Sequence, residues 1–159
     1  MPRNGHLEWI VNYAPGKLEA VAYKKGKKLT ALVQTTGEPY RIVVRSAKRS
    51  ILPDGKDAAV FNVTVVDKQG LEVPDAANLL HFSATGDARI IGVGNGDPSS
   101  HEADKYSGDD WQRRLFGGKC QVIIQSEIKG LPGVLSGDVY FHAEGEGLQA
   151  GTATIHEAL

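Results

Sequence analysis

Apolar and polar residues alternate along most of the chain with a period of two, the spacing of a half-buried strand. In "HLEWIVNY" the residues Leu7, Trp9, Val11 and Tyr13 share one face. Pro15-Gly16 then makes a turn, followed by "KLEAVAYKK", Gly26 and "KKLTALVQTT". Three short alternating runs with tight turns between them predict a three-stranded antiparallel meander. Gly37-Glu38-Pro39 interrupts the pattern and marks a module boundary.

Seven further runs follow, each bounded by Gly, Pro, Asn or Asp. They are "RIVVRS", "AVFNVTVVD", "NLLHFSAT", "ARIIGVG", "KCQVIIQSE", "GDVYFHAEG" and "LQAGTATIHE". Their inward faces are predicted from the alternation: Phe61, Val63 and Val65; Leu80, Phe82 and Ala84; Cys120, Val122 and Ile124; Val139, Phe141 and Ala143. No amphipathic helix is evident, and "DDWQRRLF" (Asp109 to Phe116) allows one helical turn at most. Short strands at this spacing predict an all-β protein, an antiparallel immunoglobulin-like β-sandwich over residues 37–159 preceded by the meander in residues 1–36.

Composition narrows the function classes. The chain has 159 residues, enough for one domain or a domain with a fragment. Its formal net charge is −1, so it lacks the basic footprint that a phosphate backbone attracts, and nucleic acid is not an expected partner. No apolar run nears the roughly 20 residues of a membrane span, and "MPRNGHLEW" has no apolar core of a signal peptide. Cys120 is the only cysteine, which excludes an intrachain disulfide and a thiolate cluster. An immunoglobulin core without its disulfide must hold by apolar packing alone.

The polar residues concentrate in "GVGNGDPSSHEADKYSGDDW", Gly92 to Trp111. Ser100-His101-Glu102 are consecutive, so in an extended segment their side chains diverge and form no triad. Asp97, Glu102, Asp104, Asp109 and Asp110 offer oxygen ligands of the kind calcium takes, but without the EF-hand spacing. The histidines (His6, His81, His101, His142, His156) form neither H-x-H nor H-E-x-x-H. Glycoside hydrolysis needs two carboxylates about 5–10 Å apart in a cleft, which a small sandwich does not obviously supply. Binding a sugar asks less, since aromatic rings with polar neighbours suffice. Trp111, inside the polar loop, is expected to close the open end of the sandwich; the alternative is that Tyr106 and Trp111 are carbohydrate contacts. No cofactor is implied.

Four stretches resemble a known family. "WIVNYAPGKLEAVAYKKGK", Trp9 to Lys27, is similar to the closing W-x-V-x-Y-x-P-G-x-L-x-A-V-A-Y-x-x-G segment of a β-sandwich module in glycoside hydrolase family 2 β-galactosidases. "VPDAANLLHFSATG", "GVGNGDPSSHE" and "RRLFGGKCQVIIQS" resemble the immunoglobulin-like C-terminal domain that follows it. The resemblance implies a non-catalytic accessory domain of a larger bacterial enzyme, periplasmic or secreted, whose other domains are its partners. The catalytic glutamates of such enzymes lie in a TIM barrel of ~250 residues, for which this chain has no room, so no catalytic residue carries over. Residues 1–36 would be only the last strands of the preceding module, docked on the complete domain or leaving a free sheet edge.

The family likeness assigns no chemistry to the loop. On physical grounds Gly94 and Gly96 permit tight turns, Asn95 and Asp97 accept local N–H bonds, and His101 and Glu102 pin the loop by hydrogen bonds. Recognition of a sugar or of the parent's barrel is the competing reading.

Overall fold

The computed structural model describes residues 5–128 and 137–158. The chain divides into two compact units, Met1–Thr35 and Thr36–Leu159.

The first unit is a hairpin of β1 (Lys17–Lys24) and β2 (Lys27–Gln34), paired from Lys17↔Gln34 to Lys24↔Lys27. Its turn is Lys25-Gly26 with φ of 51° and 75°. Two left-handed residues give the reverse turn whose twist matches paired strands. The predicted meander differs here: residues 5–14 form no strand. Leu7, Trp9, Val11 and Tyr13 are exposed instead of sharing a buried face. Alternation prescribes a strand only where a neighbouring strand supplies the ladder and a core covers one face. This segment has neither among the described residues.

The second unit is a two-sheet sandwich. One sheet has the order β3 (Arg41–Ser46), β5 (Ala58–Val66), β9 (Lys119–Ser126), β7 (Ala88–Gly94). The other runs β4 (Ser50–Ile51), β11 (Gly151–Glu157), β10 (Val139–Gly145), β6 (Leu79–Thr85), β8 (Trp111–Arg114). Setting aside β4 and β8, the seven remaining strands are those predicted. Their order is that of an immunoglobulin sandwich, with the first, second, fifth and fourth strands in one sheet and the third, sixth and seventh in the other. Among the described residues the strands pair antiparallel, except for the short parallel β4–β11 pair, His156↔Ser50 and Glu157↔Ile51, and an isolated parallel bridge, Arg41↔Gln149.

Inward residues of both sheets meet in one core. Phe61, Val63 and Val65 on β5 face Leu80 and Phe82 on β6 and Val139, Phe141 and Ala143 on β10. Phe61 stacks on Phe141 across the sheets at 4.5 Å, and Phe82 lies 6.0 Å from the same ring. These rings sit on the second, sixth and third sandwich strands. An immunoglobulin domain puts its disulfide and tryptophan on those strands, so the aromatic stack is the covalent staple's counterpart.

Strand β8 corrects the expectation of a helical turn. Trp111, Arg113 and Leu115 alternate inward and are buried, and β8 pairs with β6 from Phe82↔Trp111 to Leu79↔Arg114. Period two therefore governs "WQRRL", and one of its inward positions is an arginine.

Asp67, at the end of β5, is 1% exposed. Its carboxylate accepts N–H bonds from Gly37, Gln69 and Leu71 at 2.8–2.9 Å. The Gly37 bond, helped by the others, outweighs burial and holds this carboxyl below the usual aspartate value. One side chain thus closes the β5 turn and ties residue 37 to the sandwich.

Candidate functional site

The polar loop leaves β7, an edge of one sheet, and enters β8, an edge of the other. It closes one open side of the sandwich, and its two halves are held differently.

The first half is gathered around Arg113. This side chain is 5% exposed. Its Nη1 donates to the Glu102 carbonyl at 3.1 Å and to Asp104 Oδ1 at 2.8 Å. Its Nη2 donates to Asn95 Oδ1 at 3.1 Å. Its Nε is buried without a hydrogen bond, with Glu102 Oε2 3.6 Å away as an ion-pair neighbour. Glu102 is shared: Oε2 accepts the Arg114 N–H at 3.0 Å, and Oε1 lies 3.4 Å from Arg114 Nε. Asn95 donates from Nδ2 to the Arg114 carbonyl and accepts the Asp97 N–H, both at 3.0 Å. Asp97 Oδ1 accepts from Ser99 N at 2.9 Å and Ser99 Oγ at 2.7 Å. The Ser99 hydroxyl, its N–H and the Arg113 charge together hold the Asp97 carboxyl low. Gly96 occupies φ +77°, a left-handed position, whereas Gly94 simply ends β7.

His101 is exposed and makes no hydrogen bond among the described residues. Ser100 Oγ accepts the Glu102 N–H at 3.3 Å, so no serine–histidine–carboxylate relay forms here. Elsewhere His81 lies 3.5 Å from Asp110, His142 3.4 Å from Glu144 and His156 2.7 Å from Asp138. Among the described residues no three or more His, Cys, Asp or Glu side chains gather where a metal ion could be held. Cys120 is buried in the core, and burial pushes its thiol up to about 12, far from a reactive thiolate.

The second half, residues 105–110, has few ties. Tyr106 packs edge-on against Trp111, with ring centroids 5.5 Å apart at 68°. Trp111 is 9% exposed and belongs to the core. Both rings line an open cavity of about 600 Å³ between β6, β7 and the loop.

Sequence reading located the loop but missed Arg113 and Asp104 as the pair that organises it. The available signal was the alternation Trp111, Arg113, Leu115, which places the arginine inward.

The glycoside hydrolase family 2 C-terminal domain 5 family matches residues 42–154, and a domain of unknown function matches residues 1–30. β-Galactosidase BoGH2A of Bacteroides ovatus is 37% identical over 131 residues, 82% of this chain and 15% of that protein. A β-glucuronidase of Formosa agariphila is 35% identical over 105 residues, 62% of this chain and 11% of that protein. The crystal structure of a glycosyl hydrolase family 2 member from Bacteroides cellulosilyticus aligns with a TM-score of 0.79 at 29% identity, over 94% of this chain and 18% of that one. The chain thus spans less than a fifth of the length of each of these relatives.

Proposed function

The chain belongs to the glycoside hydrolase family 2 C-terminal domain 5 family, and from that premise we propose that it is a non-catalytic accessory domain of a larger β-galactosidase. It acts through its shape, by packing on other domains of that enzyme. The observation that carries this reading is the engagement of the loop's first half with itself. Asn95, Asp97, Glu102 and Asp104 are hydrogen-bonded to the loop or to Arg113 and Arg114. The Glu102 carboxylate meets the Arg114 N–H with one oxygen and the Arg114 guanidinium with the other, so it is turned to the protein and not to a substrate. The polar cluster is therefore a lock on the loop's conformation.

Residues 1–36 are, in the same reading, the closing strands of a preceding β-sandwich module, and residues 37–159 the immunoglobulin-like domain. Two observations support it. The hairpin exposes apolar side chains on both faces, Leu18, Val21, Leu29 and Leu32 among them. Its match to a different family ends before the sandwich begins.

The test is turnover of chromogenic β-galactosides and β-glucuronides by the isolated chain. The expected rate is that of buffer. Hydrolysis that persists through purification and vanishes in His101→Ala would overturn the proposal.

A further inference from the structure

The loop's second half presents a different chemistry. Among the described residues the side chains of Lys105, Ser107 and Asp109 make no hydrogen bond or ion pair within the protein, yet all three line the 600 Å³ cavity. The contrast with residues 95–104, where nearly every polar group has a partner, lies within one loop. We infer that this cleft, between β7 and residues 105–109, binds a neutral pyranose unit of a glycan.

Its size lies within the range of about 300–1,000 Å³ usual for small-molecule sites. Ser83, Ala84 and Ala88 give it small side chains on the β6–β7 side, leaving room for a ring. Tyr106 and Trp111 meet there edge to face and form an apolar corner. Because the core covers most of Trp111, the corner suits the C–H flank of one sugar and not a flat platform for a long chain. The rim mixes donors and acceptors: Lys105 and Ser107 beside Asp109, with Arg89 and Glu127 3.8 Å apart on the other side. A sugar hydroxyl both donates and accepts, so it needs both kinds of partner. The rim's two cations, Arg89 and Lys105, balance its two carboxylates, Asp109 and Glu127. That balance favours a neutral ring over a uronate or a sulfated sugar, which would call for net positive charge.

This inference goes beyond the accessory reading and does not depend on it. The experiment is an amide-resolved NMR titration of the full 159-residue chain with lactose and, separately, with glucuronate. Lactose is expected to move the Lys105–Asp109 amides and the Trp111 indole N–H saturably, with Kd on the order of 1 mM. Lys105→Ala/Asp109→Ala, two substitutions on an exposed loop, is expected to weaken that binding about tenfold while leaving the rest of the spectrum in place. No saturable change, changes scattered away from the cleft, glucuronate binding as tightly as lactose, or full affinity in the double variant would each overturn the site. Failure there would leave the turnover test, and the reading it examines, unaffected.

Discussion

A guanidinium at 5% exposure is tolerable only because its neighbours answer it, and at Arg113 the answer comes from Asn95, Glu102 and Asp104. Truncating it removes the Arg113 donors from the Glu102 carbonyl, Asp104 and Asn95, although Asn95 Oδ1 keeps the Asp97 N–H and the Glu102 carboxylate keeps Arg114. Asp104 is largely solvated, which trims the loss. Arg113→Ala is expected to lower stability by about 3 kcal/mol in urea unfolding. Arg113→Lys should recover less than half, since one ammonium cannot span acceptors that a planar fork reaches. A loss below about 1 kcal/mol for the alanine variant would show that other contacts hold the loop. Asp67 supports a second prediction at this scale. Its folded-state pKa lies below the unfolded value, so its contribution is complete above the ordinary carboxylate range. It disappears as pH falls through the lower, folded value. Asp67→Asn should therefore destabilise the protein at neutral pH and flatten the acid limb of its stability curve. An unchanged acid limb would mean that this carboxyl has the same affinity for protons folded and unfolded.

At the scale of elements, the sandwich rests on aromatic contact where related architectures use a covalent bond. Phe141 touches both Phe61 and Phe82, joining the two sheets through one ring. Phe141→Ala should cost about 3–5 kcal/mol, read as a shift in denaturation midpoint with an unchanged denaturant slope. A cost near 1 kcal/mol would mean that the surrounding valines collapse into the space. The turn before β9 is equally exacting. Gly118 sits at φ +73°, and a Cβ there would lie 2.2 Å from the Val73 carbonyl oxygen. The same alternation that made Phe61, Phe82 and Phe141 legible as inward residues made seven strands legible in the sequence. It failed where the inward residue was charged. In β8 the inward Arg113 breaks the apolar pattern, so the strand read as a loop or a helical turn. It failed in the opposite sense at Leu7–Tyr13, where alternation is intact but no sheet receives it. The Asx-type bonds of Asn95 and Asp97 were legible because they close within two residues. The Arg113 bonds span 9 to 18 residues of sequence, and no local pattern encodes them. The loop's division into a pinned and an open half was invisible for the same reason.

At the scale of the whole molecule, the two units differ in what they bury. The sandwich has a continuous core that includes Phe61, Val63, Leu80, Val122 and Phe141, each at most 1% exposed. In the hairpin every residue of β1 is exposed, and Leu18, Val21, Tyr23, Leu32 and Val33 stay open to water. An isolated two-stranded hairpin is at best marginally stable, so its ladder needs a third strand or a covering layer. Residues 36–159 alone should therefore retain the cooperative unfolding transition of the full chain, with a stability change within about 0.5 kcal/mol. In the full chain, hydrogen exchange should find β5 amides protected to the limit set by global unfolding, and β1 and β2 amides exchanging through local opening at far lower free energy. Protection of β1 and β2 equal to that of β5, or loss of cooperativity on removing residues 1–35, would place the hairpin inside the folding unit. Either result would overturn the proposal that residues 1–36 are the margin of a neighbouring module. The converse measurement is as informative. In a longer protein whose added residues cover the hairpin, the same β1 and β2 amides should become protected while those of β5 stay unchanged, because β5 already lies in the sandwich core and β1 is exposed in this chain.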